Sequence, residues 1–258
     1  MTNIDQDILK AAELIKKANK IVALTGAGIS VESGIPDFRG PSGLWKKYNP
    51  EIASISFFLK NPEEFWKFSL EVWKTLKRAK PNPAHKALVE LEKMGKLHCI
   101  ITQNIDGLHQ KAGSKKVLEI HGSANWLICT SCRARHPSET VIKQLKSGMT
   151  IPICDLCGGL LRPEAVLFGD MLPQDVFSEA VGEASTSDLM LIVGSSLVVF
   201  PAAQLPIFAK KNGAKIILIN LEKTWFDERA DVAIHGKAGV ILPKIVKNLK
   251  KLLKTSKR

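Results

Sequence analysis

Six short, largely apolar runs constrain this chain more than any other feature: Ile21–Leu24, Leu97–Ile101, Val117–Ile120, Leu189–Val193, Ile216–Ile219 and Val232–Ile234. A strand with one wet face alternates apolar and polar residues, whereas a strand apolar along its length needs cover on both faces. Helical patterns supply that cover. Asp5–Ala18 puts Ile8, Ala11, Leu14 and Ile15 on one side, and Pro83–Met94, Gln174–Ala184 and Pro201–Lys211 precede the second, fourth and fifth runs. Strands alternating with helices predict an α/β fold with a doubly wound parallel sheet. At 258 residues the chain has room for one large unit and a smaller one. Two stretches break the alternation. One, at 45–78, is rich in aromatics (Phe57, Phe58, Phe65, Trp66, Phe68, Trp73) and reads as a helical module; the other, at 126–163, holds paired cysteines. The main domain is then 1–44 with 79–125 and 164–258.

The runs end on small or polar residues: Thr25-Gly26, Thr102-Gln103-Asn104, His121-Gly122, Gly194-Ser195-Ser196 and Asn220. In a parallel sheet these carboxyl ends share one edge, and ligands bind just outside it where strand order reverses. That gathers the loop after the first run, the Gln103–Asp106 segment, His121, Ser195 and Asn220 around one cleft. The loop "GAGISVESGIPDFRG" (26–40) has Gly26 and Gly28 for close backbone approach, and a helix start near Ser30 or Val31 suited to a pyrophosphate. It is a near-match to GxGxxG only, since residue 31 is Val31, not glycine. Its continuation through Asp37, Phe38 and Arg39 is long for a connection beside a phosphate site, and such loops tend to carry function.

Cys129-x2-Cys132 and Cys154-x2-Cys157 fit two knuckles of a tetrahedral thiolate zinc site, structural because all four positions are protein ligands. The rival is a redox dithiol, for which one pair suffices. Cys99 lies in an apolar run and reads as a small core residue. Of six histidines, His85, His98, His109, His136 and His235 have no special context; His121 follows a strand at the converging edge. A neutral imidazole there is suited to take a proton from a hydroxyl. Asn104 and Asp106 can orient a water or a ribose hydroxyl, or simply cap the turn at "NIDG". The residues thus give a nucleotide-sugar site with a base, and leave the reaction open.

The formal charge is +12, and the last fifteen residues hold six Lys, one Arg and no acid. They read as a closing amphipathic helix with a solvated lysine face, or as a surface for nucleic acid or proteins bound to it. No apolar run is long enough for a membrane span, and the start "MTNIDQDILK" lacks a basic-then-apolar signal pattern, so the expected location is cytoplasmic.

"GAGISVESGIPDFRG", "TQNIDGLH", "HG", the two cysteine pairs, "FGD", "GSSLVV" and "NLE" occur in the order found in the sirtuins, and the chain resembles that family from Ile21 to about Ile241. The resemblance implies an NAD-dependent protein lysine deacylase with a Rossmann-like domain and a smaller zinc-and-helix unit. NAD and the acyl-lysine of a protein substrate would meet between the two. It implies NAD contacts at Gly26, Ala27, Gly28, Ser30, Asp37, Phe38, Arg39, Gln103, Gly194, Ser195, Ser196, Asn220, Leu221, Glu222 and Ala238. A nicotinamide pocket would be lined by Phe38, Ile105 and Asp106, with His121 as general base and Asn104 beside it. Val166, Phe168 and Val198 would clamp the peptide as an added strand. Desuccinylating members carry Tyr and Arg three apart on a helix; Trp66 and Ser69 align there, which implies uncharged acyl groups. Mono-ADP-ribosyl transfer is an alternative, as is a non-catalytic NAD- and zinc-binding module with a basic tail for nucleic acid.

Overall fold

The computed structural model of the chain describes residues 2–38, 40 and 43–255. All six runs become strands of one parallel sheet: β1 (Ile21–Thr25), β2 (Leu97–Thr102), β3 (Val117–Glu119), β7 (Leu189–Val193), β8 (Lys215–Asn220) and β9 (Val232–His235), in the order β3-β2-β1-β7-β8-β9. The chain winds outward from β1 to β3, then crosses back to β7 and winds the other way. The switch point therefore lies between β1 and β7, where a Rossmann-type sheet opens its crevice.

Both faces are covered, which is why the strands are apolar throughout. Helices α1 (Asn3–Lys17), α4 (Pro83–Lys93) and α9 (Ala238–Thr255) pack on one face through Ile8, Ile15, Leu88, Leu91, Ile245 and Leu249, against Ala23, Ile100, Leu191 and Ile217. Helices α7 (Gln174–Ser185) and α8 (Leu205–Lys211) cover the other through Ala180, Ala184, Leu205 and Ala209, against Val22, Leu24, Met190 and Ile192. The closing helix begins at Ala238, well before the lysine-rich stretch, and runs through Pro243. A short helix, α5 (Leu108–Ala112), follows β2.

The two interruptions meet each other. Helices α2 (Ile55–Lys60) and α3 (Pro62–Arg78) come from the first. Strands β4 (Trp126–Cys129), β5 (Arg135–Pro137) and β6 (Leu161–Pro163), an antiparallel sheet ordered β5-β4-β6, come with helix α6 (Ser138–Lys146) from the second. Phe58, Phe65 and Trp66 of the first share one core with Leu127, Cys129, Val141, Cys154 and Leu161 of the second. Pieces remote in sequence thus build one small hydrophobic unit, with the cleft along its border with the parallel sheet.

Candidate active site

The cleft encloses about 1020 Å³ and runs along the carboxyl edge of the parallel sheet. Its wall is built from every strand end singled out above. After β1 come Gly26, Ala27, Gly28 and Ser30; after β2, Gln103, Asn104, Ile105 and Asp106; after β3, His121; after β7, Gly194, Ser195 and Ser196; at the end of β8 and just beyond it, Asn220, Leu221 and Glu222; and Ala238 opens α9. Asp37, Phe38, Val166 and Phe168 line the side toward the small unit. Val198 is exposed and stands outside the cavity wall. Arg39 lies outside the described residues.

The glycines have a packing role that their spacing does not show. Gly26 and Gly28 have ordinary negative-φ or extended backbone, and the loop after β7 packs directly on them. A Cβ on Gly28 would stand 2.8 Å from Gly194 Cα, and one on Gly26 would stand 2.8 Å from the Gly194 carbonyl oxygen. Gly194 itself sits at φ 65°, and a Cβ there would strike the amide of Ile29. The glycines let two loops cross at the switch point. The helical turn begins at Ala27, not near Ser30, as a 3-10 helix over Ala27–Ser33. The amide of Gly28 is committed to Gly194 O at 2.8 Å. Ser30 is buried and donates to Asp106 Oδ2 at 2.7 Å, so it braces the floor of the cleft.

Side chains after β2 tie these loops together. Gln103 Nε2 donates to Ser195 Oγ at 2.9 Å, and Asn104 Nδ2 donates to Gly26 O at 3.1 Å and to Ser30 Oγ at 3.2 Å. Asp106 Oδ1 accepts the Leu108 amide at 2.8 Å. The carboxamide oxygen of Asn104 is the end it can offer a ligand.

His121 is half-buried, and its Nδ1 lies 3.0 Å from Gln103 O. A carbonyl only accepts, so Nδ1 carries the proton and Nε2 is the bare nitrogen of the neutral ring. Burial pushes its pKa below the ordinary histidine value, against the opposing pull of that hydrogen bond. A neutral base with a fixed tautomer is thus set at the cleft wall.

Two histidines without a sequence signal lie behind this wall. Thr25 Oγ1 donates to Thr102 Oγ1 and accepts from His109 Nε2, both at 2.9 Å. The rings of His109 and His85 are 4.9 Å apart, and His85 Nε2 and His109 Nδ1 are buried without a hydrogen-bond partner among the described residues. Only tertiary packing brings these groups together, so spacing along the chain could not reveal them.

Around the mouth Phe38, Phe168, Phe200 and Leu221 are exposed despite their size, as at surfaces that receive a partner. Leu197, next to Val198, is held at φ 55°; its amide bonds Ser195 Oγ at 3.3 Å and its carbonyl accepts Trp225 Nε1 at 2.7 Å.

Comparison with known proteins decides the family. The model of the Sir2 family matches residues 26–201, the stretch that holds both the crossing loops and His121. The chain belongs to the Sir2 family. It is 52% identical to NAD-dependent protein deacylase 2 of Archaeoglobus fulgidus, over 96% of this chain and 98% of that one. It is 47% identical to an NAD-dependent protein deacetylase of Sulfolobus acidocaldarius, over 97% and 98%. Among solved structures, one described as revealing the mechanism and regulation of Sir2 enzymes superposes with a TM-score of 0.90 at 52% identity, covering 96% of this chain and 99% of that one. A Sir2 structure holding a deacetylated p53 peptide and 3′-O-acetyl ADP-ribose matches with a TM-score of 0.89 at 44% identity, over 92% and 96%.

The cysteines of this Sir2 chain fit a structural zinc site. The four Sγ atoms lie within 4.8 Å of one another. Cys129 and Cys157 are 3.5 Å apart and Cys132 and Cys154 are 3.7 Å apart. A tetrahedron with Zn–S near 2.3 Å puts its sulfurs about 3.8 Å apart, whereas a disulfide needs about 2 Å. Amides of Ser131 and Cys132 point at Cys129 Sγ from 3.4 and 3.5 Å, which favours thiolate. His136, which carried no signal in sequence, lies with Nε2 3.4 Å from Cys154 Sγ. The small unit of this Sir2 chain also closes one end of the cleft, through Trp66, Ser69 and Val72 of α3, Leu127 of β4 and Ile142 of α6. That wall is largely apolar, and the presence of Trp66 and Ser69 in it was implied by the resemblance, not by composition or spacing.

Proposed function

We infer that this Sir2 chain removes acetyl groups from protein lysines at the expense of NAD, giving nicotinamide, O-acyl-ADP-ribose and free lysine. The observation that carries the reading is the placement of His121 Nε2, bare and half-buried, on the same cleft wall as the crossing loops at the sheet's switch point. NAD lies along that edge, its phosphates beside the loops after β1 and β7 and its riboses near Asn220, Leu221, Glu222 and Ala238. Asp37 and Phe38 close over the nicotinamide end, against Ile105 and Asp106. Nicotinamide leaves C1′ with the bonding pair, and the acyl oxygen of the substrate forms the new bond to C1′. His121 then takes the proton of a ribose hydroxyl, whose oxygen attacks the acyl carbon; the lysine amine leaves with the C–N bonding pair and the proton returned by the imidazolium, and water adds to that carbon to leave the O-acyl ester. Asn104 orients that hydroxyl or the attacking water. Apolar walls exclude bulk water until the acyl group is in place. The four-cysteine centre, when loaded with zinc, holds the small unit together through Cys129, Cys132, Cys154 and Cys157 and leaves no open position for chemistry.

The peptide enters as an extended strand between Val166–Phe168 and the segment around Val198. The amides of Val166, Leu167 and Phe168 are already committed, to His121 O, Asp170 Oδ2 and Ala53 O. Leu167 O and Phe168 O also accept already, from the amides of Asp170 and Ile55, so the strand bonds to Val166 O there and to neighbouring backbone, a mode that demands little of peptide sequence. Trp66 and Ser69 face the acyl end where a cationic fork would be needed, so the acyl group is uncharged. We take the units as a nucleotide-binding domain at 1–44, 79–125 and 164–258, a helical module at 45–78 and a zinc module at 126–163. The protein works inside the cell, where thiolates stay reduced, on substrates that include proteins bound to nucleic acid. Among the described residues no helix is long and apolar enough to cross a membrane.

The test is product analysis with labelled NAD and acetyl-lysine peptide. O-acetyl-ADP-ribose in step with free lysine is expected, and His121→Ala should abolish it while NAD binding persists. Label appearing on protein instead would replace deacylation by ADP-ribosyl transfer, and faster turnover of succinyl-lysine would overturn the acyl preference.

A further inference from the structure

Helix α9 carries five lysines, Lys244, Lys247, Lys250, Lys251 and Lys254, and no acidic residue. At 100° per residue all five fall within an arc of about 120°. The opposite side, Ile241, Leu242, Ile245, Val246 and Leu249, is buried against α1 and α4. All five lysines are exposed. The flanking helices add no net charge: α1 balances Lys10, Lys16 and Lys17 with Asp5, Asp7 and Glu13, and α4 balances Lys86 and Lys93 with Glu90 and Glu92. Lys250 pairs with Glu90 at 2.7 Å. Lys247, Lys251 and Lys254 make no ion pair among the described residues and span about 10 Å of rigid helix.

We propose that this outer face of α9 binds the phosphate backbone of duplex nucleic acid without regard to sequence. A lipid surface is disfavoured because the apolar side of α9 is already used in the core and nothing remains to insert. A protein partner needs an apolar anchor, and among the described residues the outer arc offers Val240 and the half-buried Pro243, both near its start. A duplex asks only for aligned positive charge. The lysines stand about 14–24 Å along the helix from Ala238, which lines the cleft, so phosphate held there does not compete with NAD. The purpose, though not the binding, rests on the deacylase reading. Deacylation restores a lysine ammonium, and proteins whose lysine charge matters are those that hold polyanions. An enzyme resident on the same polyanion meets such substrates at raised local concentration.

The experiment measures anisotropy of a fluorescein-labelled 20-bp mixed-sequence DNA duplex with the full chain, from about 50 to 200 mM salt. Binding with a steep salt dependence is expected. The triple variant K247Q/K251Q/K254Q should lower the slope of log K against log salt by nearly 3 and weaken binding more than tenfold at the lowest salt. Its melting temperature and its turnover of a free acetyl-lysine peptide should match the parent. No duplex binding, an unchanged slope in the variant, or binding only to vesicles containing phosphatidylserine would overturn the proposal. Duplex binding lost in the variant, from a parent that deacylates no peptide, would keep this surface and remove the enzyme reading instead.

Discussion

The bond from His121 Nδ1 to the Gln103 carbonyl leaves Nε2 as the bare nitrogen, the one the proposed mechanism uses as base. Burial lowers the pKa of His121. The base must be neutral, so activity is present above that pKa and lost as pH falls through it. The acid limb of kcat/KM on an acetyl-lysine peptide should therefore lie below the ordinary histidine value of about 6.5. A limb centred above 7 would show that another group titrates. Glycine makes an equally local demand. Gly28→Ala puts a Cβ 2.8 Å from Gly194 Cα, backbone against backbone, where no rotamer can relieve the clash. Urea unfolding should show a loss of roughly 1–3 kcal/mol, with weakened NAD binding because the crossing loops must part. An unchanged midpoint would mean the crossing opens freely. The presence of Gly26 and Gly28 was legible in the sequence, but their contact was not. A motif records which residues occur, whereas the partner loop lies some 170 residues further on.

At the scale of elements, the small unit depends on two insertions sharing one core. Cys129 and Cys154 lie in that core beside Phe58, Phe65 and Trp66. Removing the metal should therefore loosen α3 as well as the cysteine loops, although α3 supplies no ligand. Hydrogen exchange after chelation, or in Cys129→Ala, should show faster exchange over 62–78, with the parallel sheet unchanged. Protection of α3 without metal would separate the two insertions. The helical and cysteine-bearing stretches were each readable from composition and spacing. Their union was implied by the family resemblance and not by composition or spacing, because a shared core is a property of three-dimensional packing. The peptide-side segment has its own brace: Arg162 pairs with both oxygens of Asp170, and its guanidinium also donates to Ala165 O at 3.1 Å. Asp170→Asn leaves that half-buried cation underpaired. A loss of roughly 1.5–3 kcal/mol is expected in unfolding, with a raised KM for peptide and little change for NAD. Equal effects on both substrates would place the brace elsewhere in the mechanism.

For the whole molecule, the parallel sheet and the edge its strand ends share were legible in the sequence, because continuous apolar strands with polar ends are the imprint of a doubly covered parallel sheet; the strand order was not, since pairing between remote runs leaves no mark on either. What sequence hid is the polar interior that this architecture encloses. His85 and His109 are buried between α4, α5 and the edge of β1, and burial pushes their pKa values down to about 4 and about 3. Asp106 opposes the shift at His85, and the neighbouring His85 lowers His109 further. Between pH 6.5 and those values the unfolded chain binds protons that the folded chain refuses, so stability is full above 6.5 and falls as pH drops. At pH 5 each histidine should cost about 2 kcal/mol. The paired carboxylates act in a lower window. Glu183, despite burial that opposes ionisation, is drawn to about 2 by hydrogen bonds from Lys116 and Lys20, and its contribution is lost only as pH falls below the ordinary carboxylate range. A urea series at pH 7 and pH 5 separates the two. The parent should lose about 4 kcal/mol across that interval, and His85→Asn about half as much, since an amide keeps an acceptor for the Asn82 amide but takes up no proton. Equal losses in parent and variant would mean that His85 protonates as readily in the folded state as in the unfolded one.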